Sequence, residues 1–258
     1  MVATSIVRGK RLRATRVGNC GLPKAGEAST IVTDGFVTVK MSKSMKDAED
    51  LEQTNADGQV CVADRTPPEL KWWEVEMEFC RVDPLLLSFF TDDPLVLDYM
   101  QKPVGFRSSK RVKVTEGAAL ELWTGTGSDD CTIPTDDTVL APGAAAAAAR
   151  YGYFLMPWLK EATMGDFELG ASVATFTISG ITGAGPNWGR GPYNVVPTDA
   201  KNTPGRLLTP MGMEHLHFQS TTIAPPEVTA EPQALTLPQP YFGESAAVAA
   251  GVVTVGDQ

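Results

Sequence analysis

The stretch that decides the fold is WEVEMEFC, residues 73–80. Large apolar residues alternate along it with acidic residues and a cysteine: Trp73, Val75, Met77 and Phe79 against Glu74, Glu76, Glu78 and Cys80. Successive side chains of a β-strand point to opposite faces of the sheet, so this spacing gives one apolar face and one face with three carboxylates. In a helix the apolar residues would scatter around the axis and bury no continuous surface. The pattern predicts a half-buried strand.

The composition is that of a turn-rich β protein. The chain has 258 residues, 43% of them hydrophobic, with 24 glycines and 19 prolines that show no collagen-like period. This length fits one β domain with long excursions, or a domain plus an extended tail. The net charge of −9 argues against tight, static binding to DNA, because phosphate contacts need lysine and arginine. It is compatible with DNA that slides past without adhering.

The cysteines and the N-terminal residues bear on the compartment. The four cysteines, Cys20, Cys61, Cys80 and Cys131, form no CxxC pair, which makes a zinc knuckle improbable. The N-terminal segment carries charges where a signal peptide needs an apolar core, and no apolar run is long enough to span a membrane. We therefore expect free thiols in a protein that assembles in the cytoplasm.

Other elements follow from local signals. Asp83-Pro84 followed by LLLSFF predicts a short helix at 84–90, with Asp83 as N-cap and Pro84 at the first helical position. Residues 30–40 predict either one bulged strand or two strands joined at Asp34-Gly35. Further strands are predicted at 111–115, 118–124, 151–156, 173–179 and 213–219.

The predicted organisation has a β-sandwich at 17–219 between two terminal arms. Residues 1–16 are basic and are expected outside the core, apart from a short strand near 12–17. Residues 220–258 are proline-rich and read as an extension whose stretch 246–255 adds an edge strand. Residues 41–70 are acidic, lack apolar periodicity and predict a long loop, with a short strand near 59–62. Residues 144–149, six alanines, predict at most a marginal helical turn.

The sequence contains no recognisable catalytic, metal or cofactor site. Glutamates two apart on a strand stand about 7 Å from each other, with nothing in the sequence to shift one pKa against the other. His215 and His217 are placed on one strand face without a third ligand. The glycine-rich loop at 180–206 lacks a phosphate-binding motif, and Trp188 and Tyr193 are interpreted as its packing anchors. We expect a protein that is not an enzyme.

A series of motifs resembles one family. They are DGFVTV (34–39), LKWWEVEMEFCRVDP (70–84), GAALELW (117–123), YGYFLMPWL (151–159), GDF (165–167), TFTISG (175–180) and WGRGPYNVV (188–196). In this order they resemble the major tail tube proteins of long-tailed siphophages, especially those that infect actinobacteria. The resemblance runs from about residue 8 to residue 197.

The resemblance implies a mainly β fold: a tail-tube β-sandwich or barrel with one short flanking helix, a long inter-strand loop and extended terminal arms. It implies a virion protein assembled in the host cytoplasm as stacked hexameric rings around the tape-measure protein, forming the conduit for DNA ejection. Tail terminator and distal tail proteins would be further partners, and double-stranded DNA would pass transiently. The loop at 41–70 lies where the family has its inter-ring loop.

Two expectations follow for individual residues. Glu74, Glu76 and Glu78 face the lumen, where sixfold repetition makes each a ring of like charge that disfavours DNA adsorption. The basic arm docks on the acidic loop of an adjacent subunit; the contact candidates are Arg8, Lys10, Arg11 and Arg13 on the arm and Asp47, Glu49, Asp50 and Glu52 on the loop.

An alternative comes from another functional class. A host-facing module, such as a carbohydrate-binding sandwich or a capsid decoration protein, would use Trp188 and Tyr193 as an exposed aromatic platform for a ligand.

Overall fold

Antiparallel pairing dominates the computed structural model, which describes residues 7–81, 83–125, 150–165, 175–193, 195–199 and 201–243. It confirms a mainly β fold with one short α-helix. The strands are β1 (Val7–Val17), β2 (Gly26–Thr33), β3 (Phe36–Lys46), β4 (Glu49–Thr54), β5 (Val60–Thr66), β6 (Glu69–Phe79), β7 (Leu95–Leu97), β8 (Pro103–Phe106), β9 (Gly117–Gly125), β10 (Tyr151–Met164), β11 (Phe176–Thr182), β12 (Val196–Pro197), β13 (Pro204–Gly205), β14 (His217–Thr221) and β15 (Gln233–Leu235). The helix α1 is Pro84–Phe90, and 3₁₀ turns lie at Asn19–Gly21 and Pro186–Trp188.

The main sheet is strongly curled. Its order is β15-β2-β1-β9-β10-β11-β6-β3, and β14 pairs with the first part of β10. The strands β2 and β3 stand near opposite ends of this order, yet only Asp34 and Gly35 join them. The two ends of the sheet must therefore approach each other. Gly9 of β1 permits that approach, because a Cβ at this position would overlap the ring of Phe36 on β3.

The helix α1 fills the concave side of the curled sheet. The Asp83 carboxylate caps it by accepting hydrogen bonds from the backbone N–H groups of Leu85 and Leu86, at 2.9 and 3.3 Å. Its apolar side chains pack with those of the strands in one buried core: Leu86, Leu87, Phe89 and Phe90 with Leu12, Ile31, Val75, Met77, Phe79, Leu120, Met156 and Ile178. The predicted helix and its N-cap are confirmed.

A second layer covers the convex side of the central strands. The segment that follows β11 places Trp188, Leu207 and Met211 over Trp123 and Leu155. The strand β9 is consequently buried on both faces along almost its whole length. A strand in this position shows no polar alternation, which is the pattern of GAALELW.

Most predicted strands are confirmed. Residues 30–40 belong to two strands, β2 and β3, which pair with different partners and not with each other. The strands at 118–124 and 151–156 are present within β9 and β10, and those at 173–179 and 213–219 are found slightly later, as β11 and β14. The prediction at 111–115 was wrong: Val112 and Val114 alternate, but both are exposed, and the segment is not a strand. Its contact with β10 is a single backbone hydrogen bond among the described residues, from the Glu161 N–H to the Lys113 carbonyl at 2.8 Å.

The predicted N-terminal arm was wrong. Residues 7–17 form β1, which lies between β2 and β9 and places Leu12 and Ala14 in the core. The sequence suggested a solvated arm because this strand has many basic residues and few apolar ones. In the structure, Arg11 and Arg13 have carboxylate partners. Residues 1–6 lie outside the described part of the chain.

The predicted C-terminal extension is docked as far as it is described. Thr229 exchanges hydrogen bonds with Val32, at 3.0 Å in each direction, and β15 pairs with the edge of β2. Two buried arginines hold the next segment: Arg190 donates to the carbonyl of Gly243 and Arg206 to that of Pro240, both at 2.6 Å. The edge strand is thus β15; the predicted one at 246–255, the alanines at 144–149 and Cys131 lie outside the described residues.

Candidate subunit interface

A long hairpin leaves the sheet between β3 and β6. These strands pair from Phe36 opposite Phe79 to Lys46 opposite Glu69, and β4 and β5 then pair from Glu49 opposite Thr66 to the tip. The Asn55 side chain closes the tip by accepting hydrogen bonds from the backbone N–H groups of Asp57 and Gln59 at 3.0 and 2.8 Å. We call residues 49–66 the ribbon. The predicted long loop is therefore a hairpin, and the strand predicted near 59–62 lies in β5.

The ribbon buries nothing within the chain. Every residue of β4 and β5 is exposed, including Leu51 at 54%, Val60 at 55% and Val62 at 58%. An isolated two-stranded hairpin is marginally stable in water. A ribbon with exposed apolar side chains and no layer against it is a surface suited to contact with another chain.

Two exposed apolar side chains share one face of the ribbon, and acidic residues lie on both faces. Leu51 and Val62 lie on the same face, since Leu51 is opposite Asp64 and Val62 is two residues from Asp64. The reverse face carries Asp50 and Arg65, which are opposite each other and form an exposed ion pair at 3.4 Å. The predicted contact residues on the acidic loop are also exposed: Asp47, Glu49, Asp50 and Glu52.

The strand β6 has the two faces that its sequence predicts. Val75, Met77 and Phe79 are buried, whereas Glu74 and Glu76 are exposed. Glu78 and Trp73 are half-buried. The carboxylates therefore lie on the outer face of the sheet, on the side away from α1.

The outer face is acidic across several strands. On β3 the glutamates stand opposite polar side chains, and Lys40 there lies 3.8 Å from Glu76. On β11, Glu76 and Glu78 are opposite Ser179 and Thr177, whereas Glu74 is opposite Ile181. A fourth carboxylate, Glu161 of β10, lines the same open groove of about 510 Å³ as Glu74 and Glu76. Sequence reasoning missed Glu161 because the register shifts between Lys160 and Thr163, so that counting by twos fails there. We call Glu74, Glu76, Glu78 and Glu161 the acidic face.

The predicted basic contact residues separate into two groups. Arg8 and Lys10 are exposed. Arg11 is half-buried and lies 3.8 Å from Asp34. Arg13 is buried, so it cannot reach an adjacent subunit. A docking arm made of these four residues is therefore not what the structure presents.

Arg13 belongs to a buried polar network. Its Nε and Nη2 donate to the Glu121 carboxylate at 2.8 and 2.7 Å, in the two-pronged geometry of a strong ion pair. The Tyr153 hydroxyl donates to the same carboxylate at 2.6 Å. Burial, followed by the negative charge of Glu121, raises the pKa of Tyr153 well above its ordinary value. The guanidinium also stacks 4.7 Å from the ring centre of Trp123.

The two predicted loop anchors hold the outer layer. Trp188 is fully buried in the second core, and its carbonyl accepts a hydrogen bond from the Tyr241 hydroxyl. Tyr193 covers the Arg13 guanidinium, and its hydroxyl is 2.9 Å from that of Thr30. The idea of an exposed aromatic platform at these residues was wrong, because the rings pack onto the sheet.

The remaining reactive side chains do not assemble into a site. His215 lies before β14, where its Nδ1 is 3.0 Å from the Thr182 hydroxyl, and His217 pairs with Gln219. Across the described ranges, no group of three or more His, Cys, Asp and Glu residues could hold a metal ion. Cys20, Cys61 and Cys80 are free and exposed. No α-helix in the described residues is long and apolar enough to cross a membrane.

Comparison with known proteins gives no family assignment: no protein-family model matches the chain, and no curated protein matches it significantly.

Proposed function

We propose that this chain is the structural subunit of a phage tail tube. It polymerises as stacked hexameric rings around a tape-measure protein and forms the conduit through which DNA leaves. The protein assembles in the host cytoplasm, becomes part of the virion tail, and meets tail terminator and distal tail proteins at the ends of the tube. Ring symmetry and partners come from the resemblance of the sequence motifs.

The ribbon is the observation that supports this proposal most directly. It continues a hairpin whose base, β3 and β6, is paired within the main sheet. Its own residues gain no burial within the chain. Ordering a segment costs about 1–2 kcal/mol per residue in backbone entropy. Contact with neighbouring subunits would offset that cost and would join one ring to the next.

The acidic face supplies the surface for the lumen. In a ring of six copies, each of its glutamates would be repeated six times, and the next ring would repeat the pattern. Glu74 and Glu76 are free to meet solvent, whereas Val75 and Met77 on the reverse side anchor the strand in the core. A wall of fixed negative charge repels DNA phosphates and keeps the passing duplex from adhering.

The structure lacks the exposed aromatic platform, at Trp188 and Tyr193, that suggested a host-facing binding module. Its aromatic platform required Trp188 at the surface, and this ring is buried beneath the loop that carries it. The large groove near the helix N-terminus is mixed in charge, with Asp34, Arg81 and Lys102 among its lining residues, and it has no aromatic lining on which a sugar ring could stack.

Electron microscopy of the purified protein tests the proposal. The wild type is expected to form rings and tubes as its concentration rises. A variant in which residues 47–68 are replaced by Asn-Gly keeps Lys46 and Glu69 in register across a two-residue turn. Because the ribbon is fully exposed, this variant should unfold at the same temperature as the wild-type monomer but should not form tubes.

Two results would contradict the proposal. Discrete monomers or trimers of the wild type at every concentration would argue against a tube subunit. Tubes formed equally well by the ribbon-less variant would show that the ribbon is not an assembly element. For the acidic face, a cryo-electron microscopy map of the tube that placed Glu74 and Glu76 on the outer wall would refute their assignment to the lumen.

A further inference from the structure

The N-terminal basic residues that the sequence predicts as partners of the ribbon are not all exposed in the structure. Arg13 is buried against Glu121 and Arg11 lies beside Asp34, so Arg8 and Lys10 are the two of the four predicted contact residues that are exposed. The ribbon itself carries five acidic residues and one basic residue: Glu49, Asp50, Glu52, Asp57 and Asp64 against Arg65. A surface that receives the ribbon needs more exposed cations than these two residues supply.

Within the described residues, a second hairpin has the opposite charge. The hairpin of β7 and β8 and the segment after it, residues 95–113, carry five basic residues and one acidic residue: Lys102, Arg107, Lys110, Arg111 and Lys113 against Asp98. The first four cations are exposed, and none of the ion pairs among the described residues involves them. We call residues 95–113 the basic hairpin.

The basic hairpin also matches the ribbon in its apolar side chains. Its tip exposes Tyr99 at 92% and Met100 at 57%, and Val104 is exposed on β8. Its base is held in place, because Phe106 packs against the main core. The Asp98 carboxylate closes the tip by accepting hydrogen bonds from the backbone N–H groups of Met100 and Lys102, both at 2.8 Å. A fixed apolar tip with cations beside it complements a ribbon with an apolar strip and carboxylates.

The two surfaces do not cover each other within one chain, since all residues of β4 and β5 are exposed. We propose that the ribbon of one copy docks on the basic hairpin of a second copy. This inference rests on the proposed function and names the surface that receives the ribbon. The two patches differ, so the contact is head-to-tail, and such contacts propagate into closed rings or open filaments. Opposite charges guide the register, and the apolar side chains supply buried area.

Charge reversal tests the contact. Two triple variants, each carrying three reversed charges, alter one surface apiece: Glu49→Lys, Glu52→Lys and Asp64→Lys on the ribbon, and Arg107→Glu, Lys110→Glu and Arg111→Glu on the basic hairpin. Each alone should raise the concentration of half-assembly about tenfold or more, because attraction becomes repulsion. Mixed in equal amounts, the two variants should assemble again, since each ribbon then meets a hairpin of opposite charge. Glu227→Lys, at an exposed position outside both surfaces, is the control and should assemble normally.

Crosslinking provides a second measurement that does not depend on charge. Cys61 of β5 is an exposed thiol on the ribbon, and the other cysteines are first replaced by serine: Cys20, Cys80 and Cys131. With Met100→Cys added, a short bis-maleimide should link copies into a ladder of multimers. The same protein with Leu208→Cys, an exposed position outside the basic hairpin, should give no ladder.

The outcomes separate this inference from the proposed function. If the wild type and both triple variants form tubes at the same concentration, the docking surface is refuted and the tube proposal still holds. A crosslinked ladder that forms equally with Leu208→Cys has the same meaning. Discrete rings that respond to the charge reversals but never stack would support the docking surface and refute the tube. A wild type that remains monomeric at all concentrations would overturn both.

Discussion

Replacing Arg13 with methionine would leave the Glu121 carboxylate buried with the Tyr153 hydroxyl as its remaining side-chain partner. The wild-type pair is held by two charge-assisted hydrogen bonds at 2.7 and 2.8 Å. Each such bond contributes about 1.5–3 kcal/mol. Removing one partner of a buried ion pair costs about 3–5 kcal/mol. Both routes give the same magnitude, so we expect Arg13→Met to lower the free energy of unfolding by about 3–5 kcal/mol.

The assay is equilibrium unfolding in guanidinium chloride, followed by tryptophan fluorescence. Trp123 lies 4.7 Å from the Arg13 guanidinium and reports on the network directly. The ribbon-less variant is the suitable background, because assembly would otherwise add its own stability. Arg8→Met is the matched control: Arg8 is exposed on the same strand, and its loss should change stability by less than about 0.5 kcal/mol.

A triple variant distinguishes the burial of a lone charge from a loss of packing. Arg13→Met, Glu121→Leu and Tyr153→Phe together remove every polar member of the network. Replacing a buried ion pair with apolar residues of similar volume is often neutral or stabilising. Most of the loss caused by Arg13→Met should therefore be recovered. Equal unfolding midpoints for Arg13→Met and Arg8→Met would refute the argument that this ion pair is buried and required.

Three further predictions concern local features. Asp83→Ala should lower the free energy of unfolding by about 1 kcal/mol in the same denaturant assay, because α1 loses its N-cap. Gly117→Ala should cost about 1–3 kcal/mol, because the added methyl group would overlap the Leu159 carbonyl oxygen; Gly105→Ala, whose nearest contact is at 3.8 Å, is its control. The raised pKa of Tyr153 favours the protonated phenol in the folded state, so this contribution to stability is complete below pH ~10 and is lost as the pH rises above that value. Unfolding midpoints measured between about pH 8 and 11 should fall less steeply in Tyr153→Phe, and parallel pH profiles would contradict this assignment.

The elements that sequence alone predicts are those that bury one side. On β6, burial of Val75 and Met77 with exposure of Glu74 and Glu76 produces the alternation that a reader of the sequence can see. The helix α1 is equally visible, because Asp83 signals where it begins. Both predictions rest on local physics: a period set by the backbone and a cap set by one side chain.

Sequence reasoning missed two kinds of feature: residues whose partners are distant in the sequence, and segments that pack against nothing within the chain. Arg13 was counted with the solvated charges, because Glu121 lies 108 residues away in the sequence. The ribbon shows no apolar period, because neither of its faces is buried within the chain. The segment at 111–115 shows an alternation without a strand, since both Val112 and Val114 are exposed and neither is buried against a neighbour.

The curled sheet holds the base of the ribbon, because the ribbon extends from two strands of that sheet, β3 and β6. Two residues, Asp34 and Gly35, connect strands near opposite ends of the sheet order, so β3 begins where those ends meet. The strand β6 pairs with β3 on one side and β11 on the other, and it places Met77 in the core. A contact made at the ribbon therefore acts on a strand that is paired on both edges. The same strand presents Glu74 and Glu76 to solvent, which ties the position of the acidic face to the position of the ribbon in any assembly of this chain.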